Sequence, residues 1–208
     1  MKFLSLIFAV AYLLTSTVAH SHPESIDEDT IHDRHISLAP GETILLVGDS
    51  HAQGLRYKLK DAAKSAGYKF VSHAVEGTMT RQWTKWLKKD MDENHPSLVI
   101  ISLGTNDAAA NDTWLDRNAS CYEDLLKIAS GSMTQVVWIG MPTYKTRRLK
   151  NVEKVSSLIS STGVSVFDST AVTIKLTDDG VHATSAGYAV WSDAIWDWLA
   201  EEHYVVPR

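Results

Sequence analysis

Strand-like apolar runs alternate with segments of helical periodicity from residue 41 onwards. This alternation is typical of a parallel sheet that is covered by helices on both faces. No internal repeat accompanies it, so the pattern predicts one α/β domain. The five predicted strands are residues 43–47, 69–73, 98–103, 135–139 and 164–167.

Five helices are predicted between and after these strands. In the first, Leu55, Leu59, Ala62 and Ala66 share one face, and Gly67 marks the end of the helix. The last has aromatic and aliphatic residues on one face and acidic residues on the other, which indicates packing on a core rather than a ligand platform. The second to fifth helices are residues 79–87, 121–128, the weaker pattern at 146–159, and 188–199.

Composition narrows the class of protein. The chain has 208 residues, of which 44% are hydrophobic and 22% are charged, and these are proportions of an ordinary globular protein. The length leaves room for one domain and a tail. The formal charge is −5, from 20 basic and 25 acidic residues. Because such a chain provides no cationic field for a phosphate backbone, nucleic acid is not expected as a partner.

Residues 1–19 have the layout of a secretory signal peptide. Lys2 precedes an apolar run over residues 3–14, and Thr17 and Ala19 occupy the −3 and −1 positions of a cleavage site. The apolar run is shorter than the roughly 20 residues that span a bilayer. We therefore predict cleavage near Ala19 and a secreted or periplasmic protein without a stable membrane anchor.

Residues 20–40 are predicted to be a flexible leader before a folded domain at residues 41–208. Four of the nine histidines lie in this leader among acidic residues, without apolar periodicity. Imidazoles and carboxylates could bind a transition metal, but nothing in the sequence fixes their geometry. A solvated leader is the favoured interpretation.

The only cysteine, Cys121, lies at helical spacing from Leu125 and Ile128. A single cysteine cannot form an intramolecular disulfide, so an exported protein of this kind must be stable through its core. The spacing favours a buried small hydrophobe over a reactive or intermolecular thiol.

The first candidate catalytic residues, Gly48-Asp49-Ser50, directly follow the first strand. In an open parallel sheet, ligands bind beyond the carboxyl ends of the strands. A serine in a tight strand-to-helix turn exposes its hydroxyl and places its own N–H at the positive end of the helix, and both features suit a nucleophile. The alternative is that Asp49 or Ser50 only caps the helix.

Gly77 and Asn106 follow the second and third strands. Glycine lets a backbone N–H approach a ligand closely, and the asparagine amide provides uncharged donors. Together with the Ser50 N–H, these groups could form a three-donor oxyanion hole. Each residue is also common in ordinary turns, which is the alternative for either one.

Asp179 and His182 precede the last helix. An aspartate three residues before a histidine can reach the imidazole, hold its tautomer and stabilise the imidazolium. The alternative is a surface turn with a helix cap at Thr184. The placement favours a catalytic role for Asp179 and His182, because this loop lies at the same edge of the sheet as the other three segments.

In this order, Ser50, Gly77, Asn106 and His182 resemble the four blocks of the SGNH hydrolases, also called the GDSL esterase and lipase family. The resemblance implies a three-layer α/β/α fold with a five-stranded flavodoxin-like sheet of order 2-1-3-4-5. It also implies a serine nucleophile at Ser50, a general base at His182 and an orienting carboxylate at Asp179. The implied oxyanion donors are the Ser50 N–H, the Gly77 N–H and the Asn106 amide. No metal or organic cofactor is expected.

The sequence departs from the commonest family pattern at His51, where that pattern has leucine. Family members with histidine at this position include domains that handle acetylated polysaccharides. His51 could line the pocket or cover the first helical turn, and the second interpretation is favoured. His182 is the better candidate base because Asp179 supports it.

The loops predict a substrate class. Residues 105–117 are polar, with Trp114 and Leu115 as the only large apolar residues. This composition favours a small acyl group on a carbohydrate over a long acyl chain. A lipase, lysophospholipase or thioesterase, a catalytically silent carbohydrate-binding domain, and an acyltransferase are the alternatives.

Two sets of residues could contact such a substrate. Trp83, Trp86 and Trp114 could stack on sugar rings, but the first two fit a buried helix face better. The second set follows the fourth strand and could form a mobile basic rim, although a solvated turn is the simpler interpretation. Its members are Tyr144, Lys145, Arg147 and Arg148.

Overall fold

The computed structural model describes residues 37–131 and 133–206. The predicted signal peptide at residues 1–19 and residues 20–36 of the predicted leader lie outside the described residues, so both remain predictions. The end of the predicted leader is not flexible, because Leu38 is buried in the core and its N–H donates to the Tyr204 carbonyl at 3.0 Å. Within the described part of the chain, no helix has the length and apolar character needed to cross a membrane.

The sheet contains five parallel strands in the order β2-β1-β3-β4-β5, as predicted. Gly48 at the end of β1 is level with Ala74 in β2 and Ser102 in β3. The loops that follow these three strands therefore begin at one edge of the sheet. The strands are β1 Thr43–Gly48, β2 Lys69–Ala74, β3 Leu98–Ser102, β4 Gln135–Ile139 and β5 Ser165–Phe167.

The described residues contain seven α-helices, of which the longer ones cover the two faces of the sheet: α1 Ser50–Ser65, α2 Thr80–Asn94, α3 Thr105–Ala108, α4 Asp112–Asn118, α5 Ser120–Ala129, α6 Val152–Ser160 and α7 Ser185–Glu201. Alternate side chains of β1 point to opposite cores, since successive strand residues face opposite ways. Ile44 and Leu46 pack with α1 and α7. Leu45 and Val47 pack with α2, α5 and α6. The predicted three-layer α/β/α fold is confirmed.

The helices differ from the predictions in two respects. The predicted helix at residues 146–159 begins only at Val152, where α6 starts. The short helices α3 and α4 were not predicted, because four and seven mostly polar residues give no readable apolar period. Both lie in the loop that follows β3, and α3 carries Asn106.

The side chains predicted to belong to the core are largely there. Cys121 is a buried free thiol, and its burial raises the thiol pKa to about 12. Trp83 is fully buried. Trp86 and Trp114 are half-buried and pack against the same core. A role in sugar stacking is therefore excluded for Trp83.

Candidate active site

Ser50, His182 and Asp179 form a continuous chain of hydrogen bonds. Ser50 is the first residue of α1, and its hydroxyl lies 3.0 Å from His182 Nε2. His182 Nδ1 lies 2.6 Å from Asp179 Oδ2. A carboxylate accepts from Nδ1–H, so Nε2 is left to accept the serine proton. The fold thus brings together the three residues that the sequence analysis selected.

Asp179 is anchored by its own turn. Its Oδ1 accepts hydrogen bonds from the Thr177 hydroxyl at 2.8 Å, the Val181 N–H at 2.8 Å and the His182 N–H at 2.9 Å. The hydrogen bond from His182, followed by those from Val181 and Thr177, holds the pKa of the Asp179 carboxyl well below its usual range. Asp179 therefore faces His182 as a carboxylate.

The loop that carries Asp179 is fixed at its base. Leu176 bridges Ala183, and the Thr177 N–H donates to the His182 carbonyl at 2.8 Å. Gly180 has φ +69°, and a Cβ there would lie 2.6 Å from the Lys145 carbonyl oxygen. The loop after β4 thus packs directly against this turn, and only glycine fits at the contact.

Asp49, and not Ser50, is the residue that caps the start of α1. Its Oδ1 accepts from the His51 N–H at 2.9 Å, so the Ser50 hydroxyl remains available to His182. Asp49 is fully buried, and burial raises its pKa to about 7 although the His51 N–H bond opposes the change. The nearby Asp107 raises it further.

Asn106 and the loop of Gly77 meet beside Asp49. The Asn106 amide donates to the Thr78 carbonyl at 2.9 Å and, over a longer 3.3 Å, to Asp49 Oδ2. Gly77 has φ +73°, a conformation that favours glycine, and lies in the turn just before Thr78. The fold therefore joins the ends of the first three strands at one point, next to Ser50.

His51 lies beneath these residues and is only 2% exposed. Its Nδ1 is 3.1 Å from the Tyr188 hydroxyl, and its Nε2 is 3.2 Å from the Tyr144 hydroxyl. The Tyr144 hydroxyl also pairs with Thr105 Oγ1 at 2.7 Å. The imidazole rings of His51 and His182 are 5.7 Å apart. His51 is thus buried between two tyrosine hydroxyls and is not among the residues that line the pocket beside Ser50.

A pocket of about 390 Å³ opens above Ser50 and His182. Tyr57, Glu76 and Tyr188 are among the other residues that line it. The lining is polar or aromatic, with no aliphatic side chain. In residues 37–131 and 133–206, no group of three or more His, Cys, Asp or Glu side chains is placed to hold a metal ion.

Residues 43–165 match a family described as a protein of unknown function, DUF459, over more than half of the chain. The chain belongs to the DUF459 family. Protein BcsX of Komagataeibacter xylinus is a relative with 25% identity over 206 residues, covering 76% of this chain and 77% of BcsX.

Solved structures share the fold of this DUF459 protein. A variant of Axe2, an acetyl xylan esterase from Geobacillus stearothermophilus, aligns with a TM-score of 0.62 at 17% identity, over 84% of this chain and 100% of that one. TesA aligns with a TM-score of 0.60 at 21% identity, over 77% of this chain and 99% of its own. These solved structures thus share the α/β fold that the sequence motifs implied.

The positions of two tyrosines in the candidate active site could not be predicted from the sequence. Tyr188 is the first residue of the predicted last helix, where its spacing from Trp191 and Ile195 indicates the core face, yet it also lines the pocket. Tyr144 was placed in a possible basic rim, and for this residue the prediction is wrong because its hydroxyl is bonded to Thr105 and His51. Lys145, Arg147 and Arg148 in the same loop are exposed, in keeping with a solvated turn.

The buried His51 should make the protein sensitive to acid. Burial, with a smaller contribution from His182, lowers the pKa of His51 to about 3, against about 6.5 when it is unfolded. The unfolded chain therefore binds this proton more readily, and stability should fall as the pH drops from about 6.5 towards 3. Between pH 7.5 and 4.5, the unfolding free energy of the wild type should fall by about 2 to 3 kcal/mol more than that of His51→Gln.

Urea unfolding of both proteins at the two pH values measures this difference. Asp49 works in the opposite direction, since its raised pKa makes it lose stability as the pH rises from about 3.8 to 7. Both proteins retain Asp49, so its contribution cancels in the comparison. Equal acid-induced losses in the two proteins would show that His51 is not held neutral by burial.

Proposed function

We propose that this DUF459 protein is an exported serine esterase that removes small acyl groups, such as acetyl, from a carbohydrate through an acyl-serine intermediate. The observation that carries the proposal is the hydrogen-bonded chain from Asp179 through His182 to Ser50, which opens into a pocket lined by polar and aromatic side chains. A domain that only bound carbohydrate would have no use for this arrangement.

The chemistry follows from the order of the hydrogen bonds. The Ser50 Oγ attacks the ester carbonyl while its proton passes to His182 Nε2, and Asp179 stabilises the imidazolium. His182 then gives this proton to the oxygen of the leaving alcohol as the C–O bond breaks. Water, deprotonated by His182, attacks the acyl-serine, and His182 returns this proton to the Ser50 Oγ as the acyl–oxygen bond breaks and the carboxylic acid leaves. These steps need no metal or organic cofactor.

The developing oxyanion needs donors, which we assign to the Ser50 N–H, the Gly77 N–H and the Asn106 amide. One proton of the Asn106 amide is held by Thr78 at 2.9 Å, whereas the bond to Asp49 is longer, at 3.3 Å. We infer that the more weakly bonded second proton is the one that serves the oxyanion. A single donor of this kind contributes about 3 kcal/mol to the barrier difference.

The acyl group is proposed to be small because the pocket has no aliphatic lining that would shelter a chain. The similarity to Axe2, itself an acetyl xylan esterase, supports a carbohydrate acetyl ester. The signal-like sequence of residues 1–19 supports a secreted or periplasmic location. The expected partner is thus a small-molecule or polysaccharide ester outside the cytoplasm.

An acyl-chain series tests the proposal directly. The kcat/KM for p-nitrophenyl acetate should exceed that for p-nitrophenyl octanoate by at least about tenfold, because the pocket has no aliphatic side chain for the octanoyl chain to pack against. The rate of the Ser50→Ala variant, which retains the pocket, is subtracted from each wild-type rate to remove hydrolysis that does not depend on Ser50. A preference for octanoyl would favour the lipase or thioesterase alternative, and equal rates of wild type and Ser50→Ala would contradict an esterase.

A further inference from the structure

One face of α1 runs along the pocket from the candidate nucleophile outwards. Ser50, Gln53, Gly54 and Tyr57 follow the spacing i, i+3, i+4 and i+7, so they lie in one stripe, and all four line the pocket. At 1.5 Å per residue, this α1 stripe is roughly 10 Å long. It is longer than one pyranose ring, so a ligand that fills it extends beyond the acylated group.

Tyr57 forms the outer end of the α1 stripe and is 62% exposed. The Arg56 guanidinium lies 4.7 Å from the centre of the Tyr57 ring and donates to its hydroxyl at 2.6 Å. These contacts hold the ring in place at low entropic cost to a ligand. Most of the ring nevertheless remains open to solvent at the edge of the pocket.

The middle of the α1 stripe is flat. A Cβ on Gly54 would lie 2.2 Å from the Tyr188 ring, so the glycine allows this ring to pack directly on α1 and form a wall of the pocket. Gln53 provides an amide donor and acceptor, and Glu76 provides a carboxylate acceptor. An aromatic face combined with neighbouring hydrogen-bonding groups matches a sugar, which presents C–H groups on its face and hydroxyls around its edge.

We propose that the α1 stripe is a glycan subsite in which Tyr57 stacks on the sugar ring next to the acylated one. The substrate is then an O-acylated oligosaccharide or polysaccharide and not the ester of a single sugar. This inference rests on the proposed function, because Ser50 determines which ring carries the acyl group.

Kinetics with matched substrates test the subsite. Acetylated xylotriose, cellotriose and maltotriose are compared with the corresponding acetylated monosaccharides, each rate being divided by that for p-nitrophenyl acetate. At least one trisaccharide should have a kcat/KM about tenfold above that of its monosaccharide. Tyr57→Ala should abolish this preference, whereas Tyr57→Phe, which retains the ring, should preserve it. Val190→Ala truncates an exposed apolar residue of α7 and serves as the control.

Binding separates this inference from the proposed function. Calorimetry measures the Kd of the same trisaccharides for Ser50→Ala, which does not turn them over. The Kd should rise about tenfold in the double variant that carries both Ser50→Ala and Tyr57→Ala. If Ser50→Ala binds a trisaccharide through Tyr57 while the wild type hydrolyses no ester, the glycan subsite is supported and the proposed esterase activity is contradicted. If esters are hydrolysed but no trisaccharide is preferred or bound more tightly than its monosaccharide, the subsite is overturned and the esterase stands.

Discussion

The variants Ser50→Ala, His182→Ala and the double variant should all lose kcat by a similar factor, on the order of 10⁵. The reason is that the 3.0 Å hydrogen bond makes the two side chains one proton-transfer unit, so removal of either disables both. The substrate should be an alkyl acetate, whose leaving alkoxide needs the proton from His182. Acetate release at saturating substrate measures kcat for the four proteins.

The folded state of these variants is checked by thermal unfolding. Both replaced side chains face the pocket, so their removal leaves no cavity in either hydrophobic core, and Tm should change by only a few degrees. Losses that multiply in the double variant would mean that Ser50 and His182 act independently. That outcome would contradict the proton transfer between them.

The fold could be predicted from the sequence because its signals are local. The central strands β1, β3 and β4 are short, largely apolar runs, and the long helix α1 carries a periodic apolar face, as in Leu55 and Leu59. The strand order came from the resemblance to a family and not from periodicity. The helices α3 and α4 were missed because their structure is fixed by what they contact, such as the Asn151 N–H that donates to the Ala108 carbonyl.

The candidate site likewise combines residues that a local sequence pattern identifies with residues that only the fold brings together. Ser50 and the pair Asp179 and His182 each stand in a recognisable local pattern, so the sequence alone is enough to select them. The network of His51, Tyr144 and Tyr188 joins residues up to 137 positions apart and follows no local pattern. Only the folded arrangement shows that the histidine is buried between two tyrosine hydroxyls.

The aromatic residue most exposed to a substrate has no recognisable sequence signal either. The aromatic residues that the sequence offers as candidates for sugar stacking are tryptophans, two of which fit a buried helix face better, whereas the structure places Tyr57 at the pocket. Tyr57 lies off the apolar face of α1 that Leu55 and Leu59 define, so its position in the sequence is that of an ordinary surface residue. Its role depends on where the loop that carries Glu76 and the start of α7 meet α1.

The variant Asp179→Asn should lower kcat by about 10⁴ while leaving the turn intact. The asparagine Oδ1 can still accept from Thr177 and from the N–H groups of Val181 and His182. The new amide, however, donates to His182 Nδ1 where the carboxylate accepted. His182 then carries its proton on Nε2 and cannot accept the proton of Ser50.

NMR separates this effect from a loss of structure. Nitrogen NMR of His182 should report a proton on Nδ1 in the wild type and on Nε2 in Asp179→Asn, with unchanged chemical shifts in the two cores. Because its bonds hold the pKa of Asp179 well below the usual range, the carboxylate remains ionised throughout a normal assay range, and an acidic limb in kcat/KM cannot come from it. A loss of less than tenfold, with the tautomer reversed, would show that Asp179 does not orient the base.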